Sequence, residues 1–378
     1  TQSLTAVLLE DSAEIQEDDV KYENKRRANQ NLPYLKPLYT IDDAKNCANR
    51  FIKVEYGNWF QIDEGIEVMF TDAGHIIGSA CVHLKLTENG KTKRITFSGD
   101  IGRYRDVILK SPQEFPQADV IIMESTYGNS LHDNAMSTPD QLLKWIIRAC
   151  LEKKGKLIIP AFSVGRTQEI LYDLNQLELE RRLPDLDYFV DSPLSIEATQ
   201  IVKSYPDLFN SRIQKVLKSD SDPFGFKGMK YIKTVNESKL LNFRSGPYVV
   251  ISASGMADAG RVKHHINNGI ENSRNTILLT GYCEPRSLGG KLLEGRKEVK
   301  IFGVVKEVHA EIGQIRSMSA HGDYEDMSQW LACQDTRQVQ KLFLVHGEYD
   351  VQQAFQQRLL KKGFTDVSIP EIHSEVGI

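Results

Sequence analysis

The sequence predicts a mixed α/β protein in which one unit is inserted into another. From Trp59 to Asp100, short apolar strands alternate with turns, which is typical of an antiparallel meander. In the middle of the chain the order strand, polar loop, helix repeats, which predicts a parallel sheet covered on both faces. From Glu298 onward the strands return, so the C-terminal part is expected to complete the first unit.

Length and composition are those of an ordinary globular protein with room for two or three domains: 378 residues and a formal net charge of −4. Nucleic-acid binding would therefore depend on a local basic cleft. Five cysteines lie scattered without a CxxC pair, which argues against a disulfide framework or a thiolate zinc site and favours the cytoplasm. No apolar run approaches the roughly 18 residues of a membrane span and no signal peptide is visible, so no membrane partner is expected.

Residues 1–50 are expected to form helices and loops. Apolar residues from Leu4 to Ile15 recur at helical spacing. The charged run Glu17–Asn29 is interpreted as a solvated face or linker rather than as a binding patch. Ile41–Ala44 has the acidic first turn of a helix.

Two polar residues stand at strand ends of the meander, beside glycines. His75 follows the strand that includes Val68–Phe70, and Asp100 follows the strand Arg94–Phe97. Loops on a rigid sheet present side chains outward, so this is a favourable place for chemistry. Taken alone, a hydrogen-bonded loop histidine and a turn aspartate explain the pattern better than a functional pair does.

A carboxylate closes the next apolar run, because Glu124 follows Ala118–Met123. On its own this residue fits a bracing role in the loop as well as a functional role. Near the C-terminus, His321 lies in a polar loop before an amphipathic helix, and His346 ends the buried strand Lys341–Val345.

The inserted unit contains four strands that each lead through a polar loop into a helix. They are Lys156–Pro160, Tyr188–Val190, Tyr248–Ser252 and Thr276–Thr280. Helix N-termini with free N–H groups suit phosphate, although serine or glycine before a helix is also ordinary capping. Because four such loops occur in one unit, with Arg166 and Arg261 nearby, we expect phosphate binding there.

The polar residues at strand ends outside the inserted unit form a nitrogen and oxygen ligand set: His75, Asp100, Glu124, His321 and His346. Imidazole and carboxylate suit zinc or manganese. Two metal ions bridged by a carboxylate are an arrangement with which enzymes hydrolyse phosphodiesters. The leaving alkoxide also needs a proton, which a histidine braced by a carboxylate, such as His321 with Glu124, can donate.

Seven motifs stand along the chain: GHIIGSA (74–80), SGD (98–100), EST (124–126), PAFSVGRTQE (160–169), SASGMADAGRVKHH (252–265), SAHGDY (319–324) and VHGE (345–348). In this order they resemble the β-CASP branch of the metallo-β-lactamase superfamily over nearly the whole chain. This branch includes the endonuclease of mRNA 3′-end cleavage and many bacterial and archaeal ribonucleases. The resemblance implies a metallo-β-lactamase αββα sandwich (residues 1–126 and 311–378) with an inserted α/β β-CASP domain (residues 127–310) and an active site between them.

The resemblance also implies residue roles and a substrate. His75 would bind one zinc ion, Asp100 would bridge two, and His346 would bind the other, while His321 would be the general acid, braced by Glu124. A histidine at His346 is typical of the relatives that act on RNA. The expected phosphate contacts are Arg166, Ser254, Gly255 and Arg261.

One family signature, HxHxDH, occurs nowhere in the sequence. We therefore expect the sequence to begin after the first strands of the family fold, and we expect these 378 residues alone to be incompetent, since three ligands are too few for two tetrahedral zinc ions. The predicted function of the native protein is two-zinc hydrolysis of RNA, with a homodimer left open. The alternatives are an inactive scaffold paralogue in an RNA-processing complex, a DNA nuclease, or a hydrolase of a small phosphodiester.

Overall fold

The computed structural model describes residues 1–132 and 137–377. The helices are α1 (Gln2–Ala28), α2 (Ile41–Ala48), α3 (Thr138–Ile146), α4 (Arg166–Leu179), α5 (Pro193–Lys203), α6 (Ser211–Val216), α7 (Val235–Phe243), α8 (Gly260–Gly269), α9 (Leu288–Leu293), α10 (Tyr324–Trp330) and α11 (Tyr349–Lys361). The strands are β1 (Phe60–Asp63), β2 (Ile66–Asp72), β3 (Ala80–Glu88), β4 (Lys91–Phe97), β5 (Val120–Glu124), β6 (Lys156–Pro160), β7 (Tyr188–Val190), β8 (Met229–Tyr231), β9 (Tyr248–Ser252), β10 (Thr276–Thr280), β11 (Glu298–Ile301), β12 (Val304–Glu307), β13 (Glu311–Ile315), β14 (Lys341–Val345) and β15 (Val367–Ser368).

The first unit is built on a seven-stranded sheet of order β1-β2-β3-β4-β5-β14-β15. Strands β1 to β4 form the expected antiparallel meander. Strand β5 then pairs in parallel with both β4 and β14. One face is covered by α10 and α11, whose Trp330 and Phe355 pack into a buried cluster with Met123 of β5.

The second unit is built on a six-stranded parallel sheet of order β13-β10-β6-β9-β7-β8. Strands β7, β9 and β10 are buried along their whole length, as a sheet covered on both faces requires. Four of its strands have the bounds that the sequence predicts. The fold is therefore a mixed α/β one, consistent with a metallo-β-lactamase unit that carries a β-CASP domain.

Strand β13 belongs to the second sheet, whereas the sequence analysis placed it in the first unit. Residues from 311 onward were assigned to the returning first unit, but β13 pairs with β10 along its length, from Thr276 opposite Glu311 to Thr280 opposite Ile315. By sheet membership, the chain returns to the first unit after Ile315. Strands β11 and β12 form a separate hairpin.

The N-terminal helix α1 packs against α2 and against α5 of the second unit. Its charged second half, where a solvated face or linker was expected, continues the helix to Ala28. Helix α2 begins with a capping box in which the Thr40 hydroxyl and the Asp43 carboxylate each accept the other's backbone N–H. Within the described residues, no helix combines the length and the apolar character needed to cross a bilayer.

Candidate active site

The carboxyl ends of four strands of the first sheet meet at one edge. Strands β2 and β4 run in the same direction because each pairs antiparallel with β3, and β5 and β14 continue that direction. His75 follows β2, Asp100 follows β4, Glu124 ends β5 and His346 follows β14. The sheet therefore brings together residues that lie far apart in the sequence, as the sequence analysis predicts.

Asp100 lies between two histidines. Its Oδ2 is 3.8 Å from Nε2 of His75, and its Oδ1 is 3.7 Å from Nε2 of His346. These separations are too long for hydrogen bonds. Two ligand atoms on one zinc ion are each about 2.0–2.2 Å from it, which gives a separation of roughly 3.5 Å in tetrahedral geometry. The two oxygens of Asp100 are thus oriented toward one histidine each, which fits a carboxylate shared by two metal ions.

Neighbouring backbone fixes His346 and the loop of His75 in place. The carbonyl of His346 accepts hydrogen bonds from the Ser125 N–H at 3.3 Å and from the Thr126 hydroxyl at 3.1 Å. This histidine has a φ of +50°, which is uncommon for a residue with a side chain. Gly102 lies so close to the His75 loop that a Cβ on it would be 1.9 Å from the Gly74 oxygen. The close approach of the Asp100 and His75 loops therefore requires a glycine at this position.

His321 is held by Glu124. Its Nδ1 is 3.0 Å from both carboxylate oxygens of Glu124, which is almost fully buried. Burial lowers the pKa of His321, but the hydrogen bond to Glu124 and its charge raise that pKa further, so it lies above its usual value. Burial raises the pKa of Glu124, but the hydrogen bond and charge of His321, the Thr126 side chain and the Ile101 N–H outweigh it and hold that pKa below its usual value. The pair therefore favours a charged imidazolium beside a carboxylate.

Metal binding is consistent with this donor set. Burial and the neighbouring charge of His321 lower the pKa of His75, which keeps its imidazole neutral, as a metal ligand must be. One donor atom each from His75, Asp100 and His321 lies within 4.8 Å of the others. This grouping contains His321, the expected acid, and the expected ligand His346 is outside it. The geometry thus permits His321 to be either a proton donor or a ligand.

A cleft of about 780 Å³ opens between the two units in front of these residues. His75, His321 and His346 lie on one wall, and loops that follow β6, β7, β9 and β10 form the other. Helix α1 contributes Leu8 and Ile15. The cleft has the size of an ordinary ligand site and lies where the sequence analysis expects the active site.

The expected phosphate contacts differ in their surroundings. Arg166, Ser254 and Arg261 line the cleft. The Arg166 guanidinium is buried and paired with Glu169. Arg261 is bound to Asp191 at 2.8 Å through Nη1. Both arginines are thus partly committed to partners within the protein, although Arg261 stays partly exposed.

Gly255 and Ser254 have mainly structural contacts. A Cβ on Gly255 would be 2.6 Å from the Phe162 ring, so this glycine makes room for an aromatic side chain. The Ser254 hydroxyl accepts a long hydrogen bond of 3.4 Å from the Ala259 N–H at the start of α8. A phosphate-binding role for either residue stays a prediction.

Sequence reasoning missed two residues near the site. His132, to which no role was given, lies 2.9 Å through Nε2 from the His321 carbonyl and packs against the Tyr127 ring. Asp191 is fully buried and accepts hydrogen bonds from His265, Ser238 and Arg261. For Asp191 a signal was present, since it ends an apolar strand, as Glu124 does. For His132, nothing in its neighbourhood in the sequence indicated the contact.

The comparisons with known proteins agree with this fold. Residues 167–292 match the Beta-Casp domain, and residues 305–370 match the Zn-dependent metallo-hydrolase RNA specificity domain. The chain is 30% identical over 315 residues to Ribonuclease TTHA0252 of Thermus thermophilus, covering 82% of this chain and 69% of that protein. It is 32% identical over 316 residues to an RNase J-like protein of Methanocaldococcus jannaschii, covering 83% and 71%. It is 26% identical over 363 residues to the transcription termination factor FttA of Methanococcus maripaludis, covering 92% and 53%.

Proposed function

Because the chain belongs to the β-CASP family of metallo-β-lactamase-fold nucleases, we propose that it is a zinc-dependent ribonuclease that hydrolyses RNA phosphodiester bonds. The observation that carries the proposal is the arrangement of Asp100 between His75 and His346, with the His321–Glu124 pair beside it. The names of two similar proteins, a ribonuclease and an RNase J-like protein, support RNA as the substrate.

We propose that His75 binds one zinc ion, that His346 binds a second, and that Asp100 gives one oxygen to each. Zinc would supply a Lewis acid that makes water a nucleophile near neutral pH and withdraws charge from the phosphate oxygens. The Asp100 side chain is partly exposed, so its oxygens are accessible to ions and substrate. The family description of a Zn-dependent metallo-hydrolase supports the choice of metal.

His321 would donate a proton to the alkoxide that leaves the phosphate. Its Nδ1 is bound to Glu124, which leaves Nε2 for the cleft. Because the hydrogen bond to Glu124 and its charge raise the pKa of His321 above its usual value, the charged ring is favoured and can act as an acid. Glu124 accepts the Ile101 N–H at 2.5 Å, so the base of the pair is fixed to the Asp100 loop.

The test is His321→Ala, with zinc content and RNA cleavage measured on the product of the gene's whole reading frame. If His321 is the acid, the cleavage rate should fall by about 10²–10⁴-fold while the zinc content stays at two per chain. If His321 is a ligand, zinc should be lost as well. His309→Ala is the matched control, because His309 is exposed, pairs with exposed Glu307 and contacts the Glu271 carbonyl.

We also propose that these 378 residues by themselves bind zinc weakly and cleave slowly, since the proposed ligands are fewer than two tetrahedral ions need. Comparing this chain with the product of the whole reading frame tests the point. Tight zinc binding by the 378 residues would contradict it. Absence of both zinc and cleavage in the product of the whole reading frame would favour a scaffold paralogue.

The substrate class is tested by cleavage of RNA and DNA of one sequence over a range of salt concentrations. We expect RNA to be cleaved and DNA of the same sequence to be spared. Binding should weaken as salt rises, because phosphate contacts release counterions. Preferred cleavage of DNA would contradict the proposal.

Whether the chain forms a homodimer is a separate question, which sedimentation of the same sample tests.

A further inference from the structure

Two aromatic side chains are exposed on the wall of the cleft that faces the proposed metal site. Phe162, in the loop after β6, is 45% exposed, and Tyr282, in the loop after β10, is 51% exposed. Both line the same cleft as His321. Single exposed apolar residues need no explanation, but two aromatic rings in one concave site beside a catalytic centre do.

The two rings arise from adjacent strands. Strands β6 and β10 are parallel neighbours, and beyond their paired residues the Thr280 hydroxyl donates to the Pro160 carbonyl at 3.1 Å. Adjacent strands lie about 4.8 Å apart, so the two loops begin side by side. Phe162 and Tyr282 therefore belong to one local surface.

The Phe162 loop is fixed in advance. The Phe162 carbonyl accepts the Thr167 N–H at 3.1 Å and the Thr167 hydroxyl at 2.8 Å, both from the first turn of α4. The ring lies against Gly255, where a Cβ would be 2.6 Å away. Because the backbone and one side of the ring are held, little conformational entropy is lost when a ligand packs on the exposed part.

Tyr282 lines the cleft together with residues of the first unit, among them His346. It follows Gly281, whose N–H donates to the Ile315 carbonyl at 2.9 Å and whose φ is +95°. Burial raises the pKa of Tyr282, and the nearby charges of Glu348 and Glu284 and the phenol of Tyr127 raise it further. The ring therefore lies in the cleft that the proposed catalytic edge also lines.

We propose that Phe162 and Tyr282 form a stacking subsite for unpaired nucleobases of the RNA strand in the cleft. This inference rests on the proposed function, since it names how that substrate is held. Every base has a π-face, so stacking would be tolerant of sequence and would select single strands.

The experiment measures binding of a short single-stranded RNA that contains 2-aminopurine, in EDTA so that no cleavage occurs. An abasic oligomer with the same ribose-phosphate backbone is measured beside it. The variants are Phe162→Leu and Tyr282→Leu, which keep an apolar side chain, and Tyr282→Phe, which keeps the ring. Phe243→Leu is the control, because Phe243 is 85% exposed and lies outside the cleft.

We expect the wild type to quench the fluorescence of 2-aminopurine. Each leucine variant should bind the base-containing RNA about tenfold more weakly and the abasic oligomer with unchanged affinity. Tyr282→Phe and Phe243→Leu should resemble the wild type. Equal losses for both oligomers, no loss, or no quenching by the wild type would overturn the subsite. If the wild type quenches and the leucine variants lose binding but metal-loaded protein does not cleave RNA, the subsite stands and the proposed ribonuclease function fails.

Discussion

Charged side chains cluster both at the edge of the seven-stranded sheet and at the interface between the two units, but their hydrogen bonding differs. At the edge, the oxygens of Asp100 stay 3.7–3.8 Å from the nitrogens of two histidines. At the interface, Arg103 donates to the Ser317 carbonyl at 2.6 Å and to Glu169 at 3.0 Å. The Arg103 network is buried and closely paired, whereas Asp100 is partly exposed and has no hydrogen bond to either histidine.

The difference separates a structural role from a chemical one. Buried charges are tolerated when they are paired and hydrogen-bonded, so the Arg103 network is explained by the fold alone. A carboxylate and an imidazole that lie near each other at an accessible edge, without a hydrogen bond between them, can still bind a metal ion or a substrate. If this is right, substitutions at the edge should affect activity, and substitutions at the interface should affect stability.

The largest expected effect is at the edge. Asp100→Asn should remove the shared anionic ligand and lower RNA cleavage by about 10³-fold or more, with loss of bound zinc. Its free energy of unfolding, measured with zinc removed, should stay within about 0.5 kcal/mol of the wild type, because Asp100 makes no close pair.

Asp185→Asn serves as the control for this prediction, since Asp185 is an exposed carboxylate outside the cleft. Cleavage and zinc content should be unchanged in it. A large loss of stability in metal-free Asp100→Asn would contradict the comparison, because it would give the edge a structural role.

The next effect is at the interface. Arg103→Met should lower the free energy of unfolding by about 3–5 kcal/mol, since Glu169 and Asp106 would lose a buried partner. Urea unfolding measures the loss. Arg337→Met, which breaks an exposed pair with Asp335, should cost only about 0–1 kcal/mol. Equal losses in the two variants would show that the interface network is no more structural than a surface ion pair.

The edge could be predicted from the sequence and the interface could not, for a physical reason. A polar residue that ends an apolar strand has a position fixed by the sheet, so His75, Asp100, Glu124 and His346 could be grouped before the structure was known. Arg103 follows no strand directly, and its partners lie on α4 and on the segment after β13. Its role depends on how the two sheets pack, which no local pattern encodes. The same applies to β13, whose sequence allows a strand but does not choose its sheet.

His83 is a buried histidine outside the edge, and its contacts make the comparison quantitative. His83 is 2% exposed, and its ring nitrogens lie 2.9 Å from the Thr71 hydroxyl and 3.0 Å from the Thr96 hydroxyl. Its ring stacks on Phe115. Burial lowers the pKa of His83 to about 4. Unlike His75 and His346, His83 has a hydrogen-bond partner at each ring nitrogen, so its titration should affect only stability.

The smallest of the three effects is the pH dependence that His83 contributes. In the unfolded chain its pKa is about 6.5, so the folded state binds fewer protons between pH 6.5 and pH 4. The stabilisation is therefore complete above about pH 6.5 and is lost as the pH falls toward 4, by about 2–3 kcal/mol between pH 7 and pH 4.5. In His83→Gln, whose amide can still bond to both threonines, the fall in the free energy of unfolding should be smaller by that amount. His309→Gln, at an exposed histidine, should keep the wild-type slope. If His83→Gln also kept the wild-type slope, burial of the neutral His83 ring would not explain the loss of stability at acid pH. The carboxylates of the interface would then have to account for that loss.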